Sequence, residues 1–309
     1  MENKNITKMQ QEVQKVVMGK EQIIEKVLVA MLAGGHILLE DIPGVGKTTL
    51  ALAFSRVMSL KYKRTQFTPD VLPADITGFS LYNKKTDSFD YVEGAALCNI
   101  YLADEINRTS PKTQSALLEV MEEGKVTVDG VTRPVPKPFF VLATQNPLGS
   151  VGTQRLPESQ MDRFMIRLSI GYPDRENEIL MLKGENVDIL EQVEPVVDGE
   201  EFMEMQRQAE QVFVSDSLYG YIIDLVNETR KSEDFSLGIS PRGTIAFYRM
   251  AKAMAYVNGR DYLTPEDVLA VFEDIAAHRV VLSSRARAKG MDIHEALEQV
   301  RMGLSMPGL

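Results

Sequence analysis

The hydrophobic positions along the chain alternate between helical and strand-like spacing. Residues 6–33 repeat apolar side chains at intervals of three and four, which predicts helix with a break at Gly19. Short apolar runs typical of buried strands follow, with helical patterns between some of them. The runs lie at 36–39, 61–66, 99–103, 139–143 and 164–170, and the helical patterns at 48–58 and 111–123. Strands separated by helices in this way predict a parallel sheet in an α/β domain.

Two polar interruptions of this series are typical of β-hairpins. Residues 79–82 and 89–92 flank a polar turn at 83–88. Residues 125–128 and 131–133 flank Asp129-Gly130, a strong signal for a tight hairpin turn. We therefore expect two hairpins inserted into the α/β domain.

The pattern changes after about residue 185. An acidic stretch at 191–201 contains a proline and a glycine and is typical of a linker, whereas residues 201–288 show mostly helical spacing. A chain of 309 residues is long enough for two domains. We expect an α/β domain at 1–190 and a helical domain at 191–309.

Composition and charge exclude several classes of protein. The net charge is −10, and residues 191–309 carry 20 acidic against 12 basic side chains. This balance disfavours a non-specific nucleic-acid binder, which needs a basic stripe. The single Cys98 cannot form an internal disulfide, and we find neither a signal peptide nor 18 consecutive apolar residues, so we expect a cytoplasmic protein with no membrane insertion. The three histidines lack the spacing of zinc ligands.

The segment that follows the first predicted strand is rich in glycine. At 46–48 it reads Gly-Lys-Thr, the end of the phosphate-loop pattern G-x-x-x-x-G-K-[ST]. Asp41 replaces the first glycine of that pattern, and Gly44 supplies a second flexible position. Consecutive N–H groups at a helix N-terminus bind phosphate oxygens. We therefore expect Lys47 to contact the β- and γ-phosphates of a nucleotide and Thr48 to contact Mg²⁺.

Polar side chains follow two further predicted strands. Asp104 and Glu105 come directly after the run at 99–103. Ligands bind at the carboxyl ends of strands in open α/β sheets, so we expect Asp104 to hold Mg²⁺ and Glu105 to activate water as a general base. Asn146 follows the fourth run, where it either orients the attacking water or serves as a turn residue before proline.

Two arginines stand at positions that suggest a function. Arg163 precedes the fifth run, where it is either a salt-bridge partner of Asp162 or an arginine finger for the γ-phosphate in a neighbouring subunit. Arg242 lies in the first turn of a predicted helix, against the preference of the helix dipole. That local misfit points to a function.

These motifs, in this order, resemble those of AAA+ ATPases, and the chain is similar in particular to the MoxR family. The strings that carry the resemblance are Asp-Glu-Ile-Asn-Arg at 104–108, Ala-Thr-Gln-Asn-Pro at 143–147, Asp-Arg-Phe at 162–164 and Ser-Pro-Arg at 240–242. The resemblance implies an α/β core with a five-stranded parallel sheet of order 5-1-4-3-2, followed by an all-α lid domain.

The resemblance also implies roles for individual residues. Asp104 and Glu105 correspond to the Walker B pair, and Asn146 corresponds to sensor 1. Arg163 corresponds to the arginine finger and Arg242 to sensor 2. The residues expected to contact the nucleotide, in the phosphate loop and in the segment that borders adenine, are Val17, Met18, Gly19, Pro43, Gly44, Val45, Gly46, Lys47, Thr48 and Thr49.

At the level of the whole protein, the resemblance implies ATP or ADP with Mg²⁺ as cofactors and a homo-oligomer, generally a hexamer. Family members are thought to act as chaperones on partners that carry a von Willebrand factor A domain. Two alternatives stay open. A motor subunit of a metal chelatase shares both hairpin inserts, and a nucleic-acid-remodelling motor shares the core, although the acidic charge argues against it.

Overall fold

The computed structural model describes residues 4–42, 44–146, 156–183 and 189–307. The helices before residue 190 are α1 (Lys4–Gln14), α2 (Glu21–Leu32), α3 (Lys47–Val57), α4 (Pro73–Thr77), α5 (Pro111–Glu123), α6 (Glu158–Met161) and α7 (Arg175–Leu182). The strands there are β1 (Ile37–Glu40), β2 (Tyr62–Gln66), β3 (Phe79–Asn83), β4 (Ser88–Val92), β5 (Ile100–Asp104), β6 (Lys125–Val128), β7 (Val131–Pro134), β8 (Phe140–Gln145) and β9 (Ile166–Leu168). Short 3-10 helices lie at Ile106–Arg108 and Ile189–Gln192.

Five of these strands form one parallel sheet in the order β2-β5-β8-β1-β9. Counted along the chain, this is the order 5-1-4-3-2 that the family resemblance implies, so the expected fold is confirmed. Strands β5 and β8 are buried along their whole length, as strands covered by helices on both faces should be. Parallel pairing aligns the carboxyl ends of neighbouring strands, so Glu40, Asp104 and Gln145 lie at one edge of the sheet.

Helix α5 begins and ends where its sequence signals predict. The Ser110 hydroxyl accepts a hydrogen bond from the Thr113 N–H, and Pro111 occupies the first helical position. Gly124 ends the helix with a φ of 62°, a conformation that glycine adopts without steric cost. The last turn of α5 is therefore fixed in place.

Both expected hairpins are present. Strands β3 and β4 pair antiparallel, and so do β6 and β7. The Arg133 guanidinium of β7 lies 3.7 Å from the centre of the Tyr91 ring of β4, so the two hairpins contact each other.

The part of the chain after residue 198 is mainly helical. Its helices are α8 (Gly199–Glu210), α9 (Asp216–Lys231), α10 (Pro241–Val257), α11 (Pro265–Ala276), α12 (Ser284–Ala288) and α13 (Ile293–Met302). This lid also contains a short antiparallel pair, β10 (Phe235–Leu237) with β11 (Val281–Leu282), where we expected only helices. Strands of two and three residues are too short to show the alternation that reveals a strand in a sequence. Among the described residues, none forms a helix with the length and apolar character that a membrane span requires.

The stretch expected to be a linker packs against the α/β core. Val193 and Val197 are buried, and the N–H groups of Val196 and Val197 donate to the Val57 carbonyl at the end of α3. Phe202 of α8 then meets Phe140 of β8 edge to face, with ring centres 5.8 Å apart. The boundary between 1–190 and 191–309 stays a prediction.

Candidate functional site

The phosphate loop connects the end of β1 to the start of α3. Gly44 and Gly46 have φ values of 89° and 93°, a left-handed region that strains other residues. The Lys47 ammonium lies 2.9 Å from the Asp41 carbonyl and 3.3 Å from that of Ile42. Burial lowers the pKa of Lys47, while the negative charges of Asp104, Asp41 and Glu105 oppose this shift. Pro43, one of the expected contacts, lies outside the described residues.

Two carboxylates leave the end of β5 beside the loop. The Asp104 carboxylate accepts a hydrogen bond from the Thr144 hydroxyl at 2.6 Å. It also forms an ion pair with the Arg64 guanidinium at 2.7 Å. Glu105 has a φ of 58°, an uncommon conformation for a side-chain-bearing residue and one that often marks functional sites. Its carboxylate pairs with Arg108 at 2.7 Å, and its N–H donates to the Thr144 hydroxyl at 2.8 Å.

The phosphate loop and these carboxylates line one cleft. Gly44, Gly46, Lys47, Thr48 and Thr49 form one wall. Asp104 and Glu105 form another, together with Arg64 and Gln66 of the neighbouring strand β2. The structure thus brings together residues that are more than 50 positions apart in the sequence. We call this region the nucleotide edge.

The donors in this cleft suit Mg²⁺. The hydroxyl of Thr48 and the carboxylate of Asp104 are oxygen ligands, which a hard cation prefers, and both line the cleft. Within the described ranges, no group of three or more His, Cys, Asp or Glu side chains could hold a metal alone. A phosphate-bound Mg²⁺ takes one or two protein ligands and completes its shell with water and phosphate oxygens.

A second cleft continues from the other side of the phosphate loop. Val17, Met18 and Val45, three of the residues predicted to contact the nucleotide, line it, and so do Gly44, Gly46 and Thr49. The further lining residues, here called its far wall, are Ile170, Gly171, Pro173 and Asn177. Gly19 is not among the residues that line this cleft, and a Cβ there would lie 2.9 Å from the Asp174 carboxylate, so its contact with the nucleotide stays a prediction. We call this second cleft the base cleft.

The two expected arginines lie together, and neither lines the two clefts beside the phosphate loop. Arg163 binds one oxygen of Glu122 at 2.8 Å and the Leu118 carbonyl at 3.0 Å. Arg242 binds the other oxygen of Glu122. We call Glu122, Arg163 and Arg242 the arginine cluster.

The alternative partner considered for Arg163, Asp162, is engaged elsewhere. Its carboxylate pairs with the buried Arg279 at 2.8 Å and accepts a hydrogen bond from Ser240 at 2.7 Å. Ser240 also caps α10 by accepting from the Gly243 N–H. These contacts hold the start of α10, and therefore Arg242, close to the turn that carries Arg163.

Asn146 follows directly after β8, the strand beside β5 in the sheet. Its main-chain carbonyl lies 3.5 Å from the Asn107 side-chain amide. Asn146 therefore stands at the same edge of the sheet as Asp104. Its expected role in orienting water stays a prediction.

Sequence reasoning did not find Arg64, Gln66 or Glu122. The first two sit on β2, and their approach to Asp104 depends on β2 being the neighbour of β5, with Gln66 opposite Asp104 in the register. Glu122 lies in a run of ordinary helical polarity. The sequence could have indicated Gln66, because it is a polar residue at the carboxyl end of a predicted strand. No feature of the sequence marked Glu122 as part of a site.

Comparison with known proteins agrees with this geometry. Residues 36–166 match the family described as "ATPase family associated with various cellular activities (AAA)", and residues 227–300 match the AAA lid domain. The fold and the site define an AAA+ ATPase with a helical lid, an enzyme that hydrolyses ATP.

Individual relatives show which family of AAA+ ATPases the chain belongs to. The chain is 46% identical over 297 residues to "Uncharacterized protein YeaC" of Bacillus subtilis, covering 96% of this chain and 92% of the relative. It is 38% identical over 307 residues to "Chaperone MoxR1" of Mycobacterium tuberculosis, covering 96% of this chain and 81% of that relative. A crystal structure of a Cytophaga hutchinsonii protein has a TM-score of 0.90 at 39% identity and covers 99% and 96% of the two chains. The chain belongs to the MoxR family.

Proposed function

We propose that this ATPase hydrolyses ATP at the nucleotide edge and couples hydrolysis to the remodelling or activation of partner proteins. The observation that carries the proposal is the single cleft lined by Lys47, Thr48, Asp104 and Glu105. In this cleft Lys47 would contact the β- and γ-phosphates, while Thr48 and Asp104 would hold Mg²⁺. Mg²⁺ held by these residues would supply positive charge that offsets the negative charge of the phosphates.

Glu105 is the proposed general base. Its carboxylate would accept a proton from water while the water oxygen attacks the γ-phosphorus and the β,γ-bridging oxygen leaves with ADP. The Arg108 guanidinium binds this carboxylate at 2.7 Å. This ion pair involves one carboxylate oxygen, Oε2, so the other oxygen, Oε1, is the one proposed to accept the proton.

We further propose that Arg163 and Arg242 act on the ATP of a neighbouring subunit. The support is their position, since both bind Glu122 and neither lines the clefts beside the phosphate loop of their own chain. A homo-oligomer, expected to be a hexamer, would supply the neighbouring nucleotide. An arginine that reaches the γ-phosphate from another subunit stabilises charge in the transition state.

The partner is proposed to be a protein with a von Willebrand factor A domain. This proposal is supported by the family resemblance and by a relative named as a chaperone. The predicted cytoplasmic location is supported by the use of a single cysteine, which is buried and unpaired. The net charge of −10 favours a protein partner over a nucleic acid.

The catalytic roles are tested by comparing Lys47→Ala with Glu105→Gln. Lys47→Ala should lose nucleotide binding, because it removes the charge that faces the phosphates. Glu105→Gln should bind ATP normally and lose about 10²–10⁴ in turnover, the usual contribution of a general base. Fluorescent-ATP titration and phosphate release measure the two effects, with the exposed Lys112→Ala and Glu119→Gln as matched controls. Equal losses of ATP affinity in both variants would contradict these roles.

The coupling to a partner needs a second experiment. The purified protein is mixed with a von Willebrand factor A domain protein, and limited proteolysis of that partner is followed with ATP and with ADP. We expect an ATP-dependent change in the cleavage pattern that Glu105→Gln abolishes. Stimulation of turnover by DNA, with no change in the partner, would favour the nucleic-acid motor. Metal insertion into a tetrapyrrole by a reconstituted mixture would favour the chelatase subunit.

A further inference from the structure

Asp41 departs from the phosphate-loop pattern, and the structure shows what its side chain does. The residue follows β1 directly and is 5% exposed. Its carboxylate accepts three hydrogen bonds from one short segment at the end of β9. The donors are the Ser169 hydroxyl at 2.8 Å, the Ile170 N–H at 2.6 Å and the Gly171 N–H at 3.1 Å. Three donors satisfy a carboxylate that burial would otherwise disfavour.

The main chain of Asp41 contacts the phosphate-binding lysine. Its carbonyl oxygen lies 2.9 Å from the Lys47 ammonium. One residue therefore contacts the phosphate-binding lysine through its backbone and the segment at 169–171 through its side chain. A glycine at position 41 would keep the first contact and lose the second.

The segment that Asp41 holds forms part of the base cleft. Ile170 and Gly171 line that cleft together with Val17 and Met18. Gly44 and Gly46 of the phosphate loop line it as well. The distance between the loop and the far wall of the base cleft thus depends on how β9 is attached to the end of β1.

We propose that Asp41 is a positioning residue that fixes the base cleft relative to the phosphate loop. This inference rests on the proposed nucleotide site. A nucleotide that spans both regions gains affinity from its base only if the two walls are held at the right separation. A ligand that contacts the phosphate loop alone does not need this separation. Asp41 should therefore matter for ATP and hardly at all for free triphosphate.

The test measures dissociation constants for Mg-ATP and for Mg-tripolyphosphate by competition against a fluorescent nucleotide. In Asp41→Asn one of the two accepting oxygens becomes an NH2 group that cannot accept, so at least one of the three hydrogen bonds is lost, and in Asp41→Gly the acceptor is missing. We expect ATP affinity to fall about tenfold in both variants, the effect of losing one strong hydrogen bond, and tripolyphosphate affinity to fall less than about twofold. Asp41→Gly restores the general sequence pattern, so a loss there is the opposite of what the pattern alone predicts.

Two further variants separate positioning from stability. Asp198→Asn is the matched control, since Asp198 accepts two N–H bonds at the start of α8, away from the clefts. It should leave the ratio of the two dissociation constants unchanged. Ser169→Ala removes one of the three donors and should shift the ratio about twofold to threefold in the same direction as Asp41→Asn.

An unchanged ratio in folded Asp41→Asn, Asp41→Gly and Ser169→Ala would overturn the inference. Equal losses for ATP and tripolyphosphate would also overturn it, because they indicate a disturbed phosphate loop. A wild-type protein that binds tripolyphosphate but not ATP would refute the proposed nucleotide site, and the inference with it. Thermal unfolding followed by circular dichroism confirms that each variant is folded.

Discussion

The nucleotide edge and the arginine cluster are built in different ways. At the nucleotide edge, Lys47 begins α3 after the loop that follows β1. Asp104 is the last residue of β5 and Glu105 follows it, so each side chain lies at the end of a strand or after the loop that follows one. The arginine cluster draws its members from the end of α5, the turn before β9 and the start of α10. The first region is built on the sheet and on the loops that follow its strands, whereas the second also depends on how the lid is attached to the sheet.

The two regions also differ in charge and exposure. The nucleotide edge sets the carboxylates of Asp104 and Glu105 against Lys47 and Arg64, so its charges balance, and its carboxylate oxygens suit a metal-bound phosphate. The arginine cluster sets two guanidinium groups against the single carboxylate of Glu122, which leaves one positive charge in excess. The side chains of Arg163 and Arg242 are 30% and 45% exposed. We infer that one region holds the nucleotide and the other presents positive charge outward.

The largest effect that can break this comparison is expected at Arg163. Arg163→Ala should bind ATP as the wild type does, because Arg163 lines neither cleft. Its turnover should fall by about 10³–10⁵, the contribution of an arginine finger. Fluorescent-ATP titration and phosphate release measure both quantities, and Arg301→Ala on the exposed face of α13 is the control. A parallel loss of ATP affinity would place Arg163 in the binding site of its own subunit and remove the distinction.

A smaller effect is expected on protein stability, where α5 contacts the sheet next to the arginine cluster. The His36 ring joins α5 to the sheet, since its Nδ1 accepts from the Val141 N–H at 3.0 Å and its Nε2 lies 3.0 Å from the Met121 carbonyl. Nδ1 is an acceptor, so Nε2 carries the proton and donates to Met121. Burial lowers the pKa of His36 from 6.5 to about 4, and the hydrogen bond to Met121 opposes this shift.

The sign of the pH effect follows from proton binding. Between pH 6.5 and about 4 the unfolded chain binds a proton at His36 that the folded protein does not. The contribution of His36 to the free energy of unfolding should therefore be complete above pH 6.5 and fall by about 3 kcal/mol as the pH drops through this window. Urea unfolding at several pH values measures it. His36→Gln should show a weaker pH dependence than the exposed His294→Gln control, and the opposite order would contradict the assignment.

The smallest effect is expected at Glu122. Glu122→Gln removes the negative charge that pairs with both Arg163 and Arg242. Because these ion pairs are partly exposed to solvent, each contributes little. We expect turnover to fall about twofold to fivefold, with ATP affinity unchanged. Glu123→Gln is the matched control, because the neighbouring Glu123 pairs with Lys125 at the surface. A rise in turnover would mean that Glu122 restrains the arginines instead of positioning them.

The nucleotide edge was largely predictable from the sequence, for a physical reason. Its residues sit in short contiguous strings whose strand, loop and helix signals agree, and parallel pairing brings strand ends to one edge. The order of the strands came from the family resemblance, because hydrophobic periodicity does not say which strands are neighbours. Arg64 and Gln66 were missed for the same reason.

The arginine cluster could not be predicted in this way. The sequence indicated that Arg163 and Arg242 matter, but their shared partner, Glu122, lies 41 and 120 positions away from them. Asp162, the carboxylate next to Arg163 in the sequence, forms an ion pair with Arg279 instead. Asp41 shows the same limit, since its departure from the glycine pattern gave no sign of its three bonds to residues 169–171.

The central claim, that the two regions complete one active site across a subunit interface, is tested most directly by mixing two inactive variants. Arg163→Ala keeps an intact Glu105, and Glu105→Gln keeps an intact Arg163. If each site takes its base from one subunit and its arginine from the next, some interfaces of a mixed oligomer contain both. We predict that phosphate release partly returns on mixing, under conditions where labelled subunits are shown to exchange. A mixture that stays as inactive as its components, despite exchange, would contradict the claim.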